Sequence, residues 1–185
     1  LTTTGGGTVT VNQSGTAILA AAGDITSDGA VSLTATGGIS TAGDVITTDD
    51  DVTFASATTL TGPVSVTTGA GGAGNITFGS TLNGAQDLTL LAGTGNVTFT
   101  GVVGGTTALD DVILTSATNV TATTFSSATL TQSAGSGTTT LNGAVSTTAA
   151  GGVSLTGDVQ TVYANLTSTT GGPVTFTNAG LLTLN

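Results

Sequence analysis

The chain alternates apolar residues with hydroxyl-bearing residues in short bursts. The clearest bursts place one Thr or Ser between two apolar residues: Val9-Thr10-Val11, Val31-Ser32-Leu33, Val52-Thr53-Phe54, Val64-Ser65-Val66, Ile76-Thr77-Phe78, Leu88-Thr89-Leu90, Val97-Thr98-Phe99, Val153-Ser154-Leu155 and Val174-Thr175-Phe176. A period of two with β-branched and aromatic residues predicts strands whose alternate side chains point inward. Gly interrupts nearly every window, and no long stretch has a helical period. We therefore expect an all-β chain.

The bursts recur with a near-period of about 20–22 residues, which is typical of a solenoid. Gly74-Asn75-Ile76-Thr77-Phe78 returns one near-period later as Gly95-Asn96-Val97-Thr98-Phe99. Ala22-Gly23-Asp24-Ile25 returns at nearly the same spacing as Ala42-Gly43-Asp44-Val45. Gly172-Pro173-Val174-Thr175-Phe176 is out of step, so insertions must be allowed. Roughly nine coils stacked about 4.8 Å apart would form parallel sheets in a rod on the order of 40 Å long.

Turn residues mark where the coils bend. Asn83-Gly84 and Asn142-Gly143, each preceded by Thr-Leu, are predicted to form corners with positive φ. Pro63 and Pro173 each precede a strand burst, where the missing N–H is tolerated.

The repeats resemble those of a known class of bacterial proteins. Gly95-Asn96-Val97-Thr98-Phe99 and Gly151-Gly152-Val153-Ser154-Leu155-Thr156 are similar to repeats of large secreted surface proteins of the filamentous haemagglutinin type. The resemblance implies a right-handed parallel β-helix, exported as part of a long fibre and used in adhesion and biofilm formation. The secretion domain of that class, with its Asn-Pro-Asn motif, does not occur in this chain.

Charge and composition exclude several functions. The 185 residues contain no Lys, Arg, His, Cys, Met or Trp, and all ten charged side chains are Asp. A nucleic-acid surface needs cations to neutralise phosphates, so we expect no nucleic-acid partner. Apolar runs are too short to insert into a membrane, which needs about 20 residues. Catalysis by Ser-His-Asp or Cys-His groups is excluded without His. No side-chain salt bridge can form, so backbone ladders, apolar stacking and hydroxyl or amide hydrogen bonds must stabilise the chain.

The Asp residues are the candidate metal ligands. Asp49, Asp50 and Asp51 form one cluster, Asp110 and Asp111 form another, and Asp24 and Asp44 are predicted to stack one coil apart. Calcium takes carboxylate and backbone oxygens and would relieve the repulsion between these groups. Otherwise they are solvated corner residues that maintain solubility and discourage lateral aggregation. No other cofactor is predicted.

Three further interpretations concern the polar side chains. Asn-x-Ser/Thr triplets make five residues candidate glycosylation sites: Asn12, Asn75, Asn96, Asn119 and Asn165.

Paired carboxylates around Asp50 or Asp110 could serve a polysaccharide-active β-helix enzyme. The single Tyr and missing cations leave little to hold a sugar, so no catalytic residue is assigned and the chain is not expected to be an enzyme. Thr8-Val9-Thr10 and Thr59-Leu60-Thr61 suggest an ice-binding face, but no consistent two-Thr column is visible.

We therefore predict one β-solenoid segment over residues 1–185, forming part of a longer chain or fibre outside the cell or on its surface. Its function is expected to be structural. Open sheet edges are normally protected by caps, Lys or Pro. No cap is evident at either end, and Lys is absent. We expect the ends to stack on further coils, either of the same polypeptide or of another subunit. Contacts with a cell surface or a polysaccharide are expected as well.

Overall fold

The computed structural model describes residues 1–185, which fold into 23 β-strands and no helix. No helix has the length and hydropathy required to cross a membrane. The strands are β1 (Val9–Gln13), β2 (Ala17–Leu19), β3 (Ile25–Ser27), β4 (Val31–Ala35), β5 (Ile39–Thr41), β6 (Val45–Thr47), β7 (Val52–Phe54), β8 (Thr58–Leu60), β9 (Val64–Thr67), β10 (Ile76–Phe78), β11 (Leu82–Asn83), β12 (Leu88–Leu91), β13 (Val97–Phe99), β14 (Leu109–Ser116), β15 (Val120–Ala122), β16 (Phe125–Gln132), β17 (Thr138–Leu141), β18 (Val145–Thr147), β19 (Val153–Gly157), β20 (Val159–Val162), β21 (Leu166–Ser168), β22 (Val174–Asn178) and β23 (Leu182–Leu184).

The strands stack into a parallel β-solenoid, as the alternation and the near-period predict. Face 1 is a continuous sheet of nine strands, in the order β1-β4-β7-β10-β13-β15-β17-β20-β23. Nine strands are separated by eight full turns, one fewer than the nine coils expected from the mean period. Turn length varies along face 1: the shortest turn runs from Val120 to its partner Thr139, and the longest from Val52 to Ile76. The insertions expected from the out-of-step repeats therefore lengthen individual turns, while the strands of face 1 stay in register.

Two more faces complete each turn. Face 2 contains β2, β5, β8 and β11, and bridges from Leu82 to Val103 and from Val103 to Phe125 lead on to β16. Face 3 contains β3, β6, β9, β12 and β14. The eight-residue β16 turns the corner between them, because its first residues pair with β18 and its last residues pair with β19. Strands β21 and β22 extend these two faces in the final turn.

The interior is a single apolar column running along the solenoid axis. It contains 36 buried apolar residues, since the flanking residues of each burst point inward in every turn. Phe54, Phe78 and Phe99 stack in successive coils, with ring centroids 4.8 and 5.4 Å apart and interplanar angles of 11° and 6°. Phe125 of face 2 meets Phe99 edge-on at 5.5 Å. These offset-stacked and T-shaped pairs add to the stabilisation from area burial.

Hydroxyl side chains also point inward, where they hold the corners. The Thr41 hydroxyl donates to the carbonyl oxygen of Gly43 at 3.0 Å, and the Thr68 hydroxyl donates to that of Gly74 at 2.8 Å. Buried carbonyl groups in tight turns need such partners, because leaving one unpaired costs about 1–3 kcal/mol. The chain therefore uses Thr both outside the sheets and inside the corners, which the two-residue period alone does not distinguish.

The structure confirms every predicted strand burst and corrects one turn. Gly84 has a φ of 122°, as predicted for Asn83-Gly84, whereas Gly143 has no positive φ, so that part of the prediction was wrong. The reason is that the two Thr-Leu-Asn-Gly copies lie on different faces: Leu82 on face 2 and Leu141 on face 1. The out-of-step burst at Val174–Asn178 stacks on β19, away from the Phe54 column.

Candidate functional site

The outer surface of face 1 carries one unbroken column of hydroxyl side chains. One hydroxyl residue of each face 1 strand points outward and pairs in register with its equivalents: Thr10, Ser32, Thr53, Thr77, Thr98, Thr121, Thr140, Thr161 and Thr183. We call these residues the threonine column. Its neighbours on the carboxyl side include Asn12, Ala55 and Gly79, so no second threonine column accompanies it on that side. The pair of columns that the ice-binding interpretation requires is not formed here.

A ladder of amide side chains runs beside the threonine column. Asp51, Asn75, Asn96 and Asn119 each precede a face 1 strand, and we call them the asparagine ladder. Asn96 donates through its backbone N and its Nδ2 to Oδ1 of Asn75, at 3.0 and 2.8 Å. Asn119 repeats both bonds to Oδ1 of Asn96, at 3.1 and 2.8 Å.

The ladder has a defined start and finish. At its start, Oδ1 of Asp51 accepts both bonds from Asn75, at 2.7 and 2.9 Å. At its finish, Oδ1 of Asn119 accepts the backbone N–H of Thr138 at 2.8 Å. Each side-chain oxygen thus satisfies a backbone donor at a coil corner, so the ladder stabilises the corner and orients its own amides.

Together the two columns line a shallow polar groove of about 510 Å³. Its lining contains no apolar residue: Asp51, Asn75, Thr77, Asn96, Thr98, Asn119, Thr121, Thr138 and Thr140. The groove can exchange hydrogen bonds with water or with a neutral polar polymer lying along the axis. It holds one carboxylate and no aromatic ring, whereas glycoside hydrolysis uses a pair of carboxylates across the scissile bond.

The sequence alone does not identify the asparagine ladder. It presents Asn75, Asn96 and Asn119 as glycosylation triplets, although the Gly-Asn-(Ile/Val)-Thr-Phe repeat already places two of them one coil apart. In the structure all three stand in one column, with each Nδ2 donating to the preceding side chain. Asn12 is exposed at the outer surface of β1, and Asn165 lies between β20 and β21. Glycosylation of these five residues stays a prediction.

Several Asp residues act as caps between coils. Oδ1 of Asp24 accepts the backbone N–H of Asp44 at 2.9 Å, and Oδ1 of Asp44 accepts that of Ser65 at 2.7 Å. The predicted stacking of Asp24 on Asp44 is therefore confirmed. Asp111 donates its backbone N–H to Asp87 at 3.1 Å and accepts the hydroxyl of Thr129 at 2.8 Å. These carboxylates satisfy donors that an apolar corner residue would leave unpaired.

The candidate calcium ligands do not converge. No group of three or more carboxylates lies in an arrangement that could hold a metal ion. In the first cluster, Asp49 adopts a φ of 68°, Asp50 accepts the Thr47 hydroxyl through its carbonyl oxygen, and Asp51 begins the asparagine ladder. Asp110 lies in β14 and donates its backbone N–H to the carbonyl of Gln86 at 3.0 Å. Calcium binding at any of these positions stays a prediction.

Comparisons with known proteins add no assignment: no protein family model, no curated protein and no solved structure matches the chain.

We predict that Asn96→Ala lowers the free energy of unfolding by about 1–3 kcal/mol, because it removes the bond from Nδ2 to Asn75 and both bonds from Asn119, while the backbone N–H of residue 96 keeps its bond to Asn75. The backbone N–H of Asn75 keeps its partner, whereas that of Asn119 loses its acceptor. Chemical denaturation followed by circular dichroism measures the change. Asn12→Ala is the matched control, because Asn12 is exposed and its side chain makes no hydrogen bond within the protein. Equal effects of the two substitutions would show that the ladder contributes nothing.

Proposed function

We propose that this chain is a structural segment of an extracellular or cell-surface fibre, a rod that spaces, coats or adheres and that extends by stacking further coils on its end. The main support is the last turn, where residues that would be interior elsewhere face solvent. Leu184 is 64 % exposed, although Leu33 and Phe54 of the same inward column are fully buried. The repeat resemblance to adhesins of the filamentous haemagglutinin type supports the same function.

The two ends of the rod differ. In the first turn the inward side chains Val9, Ala17, Leu19 and Ile25 are at most 8 % exposed, whereas Val11 is only partly buried. There the amino-terminal segment adds to β3, since Thr3 N donates to Thr26 O at 2.9 Å and Thr26 N donates to Leu1 O at 2.8 Å. The amino-terminal segment therefore covers the edge of β3 only, and the edges of β1 and β2 have no strand partner on that side.

The carboxyl-terminal end is an open apolar depression of about 310 Å³. Its lining is mostly apolar: Val162, Ala164, Asn165, Leu166, Val174, Phe176, Leu184 and Asn185. Strands β21, β22 and β23 keep the parallel register of the preceding turns, so a further coil would add to them by the same ladder. Exposed apolar patches and unpaired strand edges are the usual sites of such association.

The sides of the rod are suited to contact with water and not to lateral association with a second rod. Face 1 presents hydroxyl and amide groups, and the chain carries a net charge of −10 with no cation to attract a second rod laterally. Like charge keeps rods apart sideways. Growth along the axis and repulsion across it together favour a thin fibre. The groove beside the threonine column is the surface that we propose for contact with a polysaccharide or cell surface.

The proposal is tested with the 185-residue chain by sedimentation velocity and negative-stain imaging across a concentration series. We expect association into rods of constant width whose lengths increase with concentration. Leu184→Asp places a charge in the open end and should abolish the association. Ile113→Asp, a similar change at a partly exposed apolar residue on the side of the rod, should leave it intact. A monodisperse monomer at high concentration, or equal effects of both substitutions, would contradict end-to-end stacking.

A further inference from the structure

The pentapeptide Thr-Leu-Asn-Gly-Ala occurs twice, at residues 81–85 and 140–144. Asn followed by Gly is prone to deamidation, because Gly has no Cβ to hinder attack by its own backbone nitrogen on the Asn side chain. The two copies have the same immediate neighbours, so their intrinsic reactivities in an unfolded chain should be closely similar. Any large difference between them in the folded protein must come from the structure.

In the first copy, the next coil occupies both reacting groups. Oδ1 of Asn83 accepts the backbone N–H groups of Thr106 and Thr107, at 2.8 and 3.2 Å. The backbone N–H of Gly84 donates to the carbonyl oxygen of Thr107 at 3.2 Å. Gly84 is also buried. Attack at Asn83 therefore requires three hydrogen bonds to break and two adjacent coils to separate.

In the second copy, both groups are free. Asn142 is exposed, and its side-chain amide makes no hydrogen bond within the protein. The backbone N–H of Gly143 has no acceptor either, whereas the backbone N–H of Asn142 donates to the carbonyl oxygen of Ala122 at 2.8 Å. The residue is thus anchored through its backbone N–H, while neither of the two reacting groups is held by a hydrogen bond.

Asp28-Gly29 is a third dipeptide in which a Gly nitrogen could attack the preceding side chain. As in the first copy, both of its reacting groups are hydrogen-bonded. Oδ2 of Asp28 accepts the backbone N–H of Gly6 at 2.7 Å. The backbone N–H of Gly29 donates to the hydroxyl of Ser27 at 3.3 Å. Among these three dipeptides, only Asn142-Gly143 leaves both reacting groups without a partner.

We propose that Asn142 is a site of spontaneous deamidation in the folded protein, with water as co-reactant. The backbone nitrogen of Gly143 loses its proton and forms a bond to Cγ of Asn142. The bond from Cγ to Nδ2 breaks, and the amide nitrogen leaves as ammonia. Water then adds to either carbonyl carbon of the resulting cyclic imide and opens the ring. The products are an aspartate or an isoaspartate at this position, and no atom is oxidised or reduced.

The modification changes a coil corner in two ways. Either product adds a negative charge to a chain that has a net charge of −10 and no cation. The isoaspartate also lengthens the backbone by one methylene between β17 and β18, directly after the bond from Asn142 N to Ala122 O. Deamidation would therefore loosen the solenoid from its side, in the second half of the rod.

The experiment is incubation of the folded protein at neutral pH, followed by digestion with an endoproteinase that cleaves before Asp and by mass spectrometry. Asn83 and Asn142 fall in different fragments, which begin at Asp51 and at Asp111. We expect deamidation at Asn142 to be at least about tenfold faster than at Asn83, since three hydrogen bonds protect Asn83 and its neighbour. In concentrated urea the two rates should become equal.

Substitution of Asn142 tests whether the deamidation detected by mass spectrometry comes from this residue. Deamidation at Asn142 is detected as a mass gain where isoaspartate forms and as a new cleavage before residue 142 where aspartate forms. Asn142→Gln should remove both signals from the fragment that begins at Asp111, because the longer side chain must close a larger ring. The fragment with Asn83 should behave as before. Equal rates at the two sites in the folded protein would overturn the proposal, as would a stable Asn142 under conditions in which both sites react in urea.

Discussion

Phe78→Ala is expected to lower the free energy of unfolding by about 3–5 kcal/mol, the usual cost of deleting a buried Phe ring. Phe78 is 1 % exposed and stacks between Phe54, at 4.8 Å, and Phe99, at 5.4 Å. Its removal leaves a cavity in mid-rod, because the coils above and below are held at the backbone ladder spacing and cannot collapse into it. Denaturant-induced unfolding followed by far-ultraviolet circular dichroism measures the loss.

Phe176→Ala provides the matched control. Phe176 also occupies the third position of an apolar-Thr-Phe burst, but it lies in the last turn, only partly buried and lining the open end. We expect this substitution to cost about 1 kcal/mol or less, because solvent already reaches the ring. Comparable losses for the two substitutions would indicate that the phenylalanine stack gives no stabilisation beyond that of an isolated apolar side chain.

The alternation of apolar and hydroxyl residues predicted the fold because successive side chains of a strand point to opposite faces of the sheet. In Ile76-Thr77-Phe78 and Val97-Thr98-Phe99, the observed register places the first and third residues of each triplet in the core and the central Thr on the surface. A shift by one residue would expose the Phe and bury the Thr, so the pattern allows one arrangement only. Repeats one coil apart then fall into columns, as Asp24 and Asp44 do.

Other features depend on turn lengths that the residues alone do not reveal. Turns vary in length along one column, as the short turn before Thr139 and the long turn before Ile76 show, so the position of a motif in the chain does not determine its face. Thr81-Leu82-Asn83-Gly84 and its copy at 140–143 thus end on different faces, with different φ at the glycine. Buried Thr41, Thr47 and Thr58 likewise occupy inward positions that propensity assigns to the surface.

The asparagine ladder is hidden in the sequence for a related reason. Its signal is present as Asn in corresponding positions of Gly74–Phe78 and Gly95–Phe99, but Asn119 follows Asn96 at a longer spacing and carries no Gly-Asn-Val-Thr-Phe match. Only the stacking of three coils shows that one side-chain oxygen can accept both the backbone and side-chain N–H of the next corner. A polar column of this kind is a property of neighbouring turns and not of any single motif.

Gly84→Ala is expected to destabilise the protein by about 2–6 kcal/mol, because two costs add at one corner. The φ of 122° lies where L residues are strained, at a cost of about 1–3 kcal/mol. A Cβ at this position would also overlap the carbonyl oxygen of Leu60 in the coil below. The overlap is with backbone, which no rotamer change relieves, and overpacking of this kind costs about 1–3 kcal/mol.

The displaced corner has further consequences. Gly84 donates its backbone N–H to Thr107 O at 3.2 Å, and Asn83 accepts two N–H groups from the same neighbouring coil. We therefore expect Gly84→Ala to raise the deamidation rate of Asn83 in the folded protein as well as to lower the denaturation midpoint. Gly15→Ala is the control, since a Cβ there meets no atom within 4 Å and its φ is not positive. It should leave stability unchanged or raise it by up to about 1 kcal/mol. If both alanine variants unfolded at the wild-type midpoint, close backbone approach at the corners would not limit how tightly the coils stack.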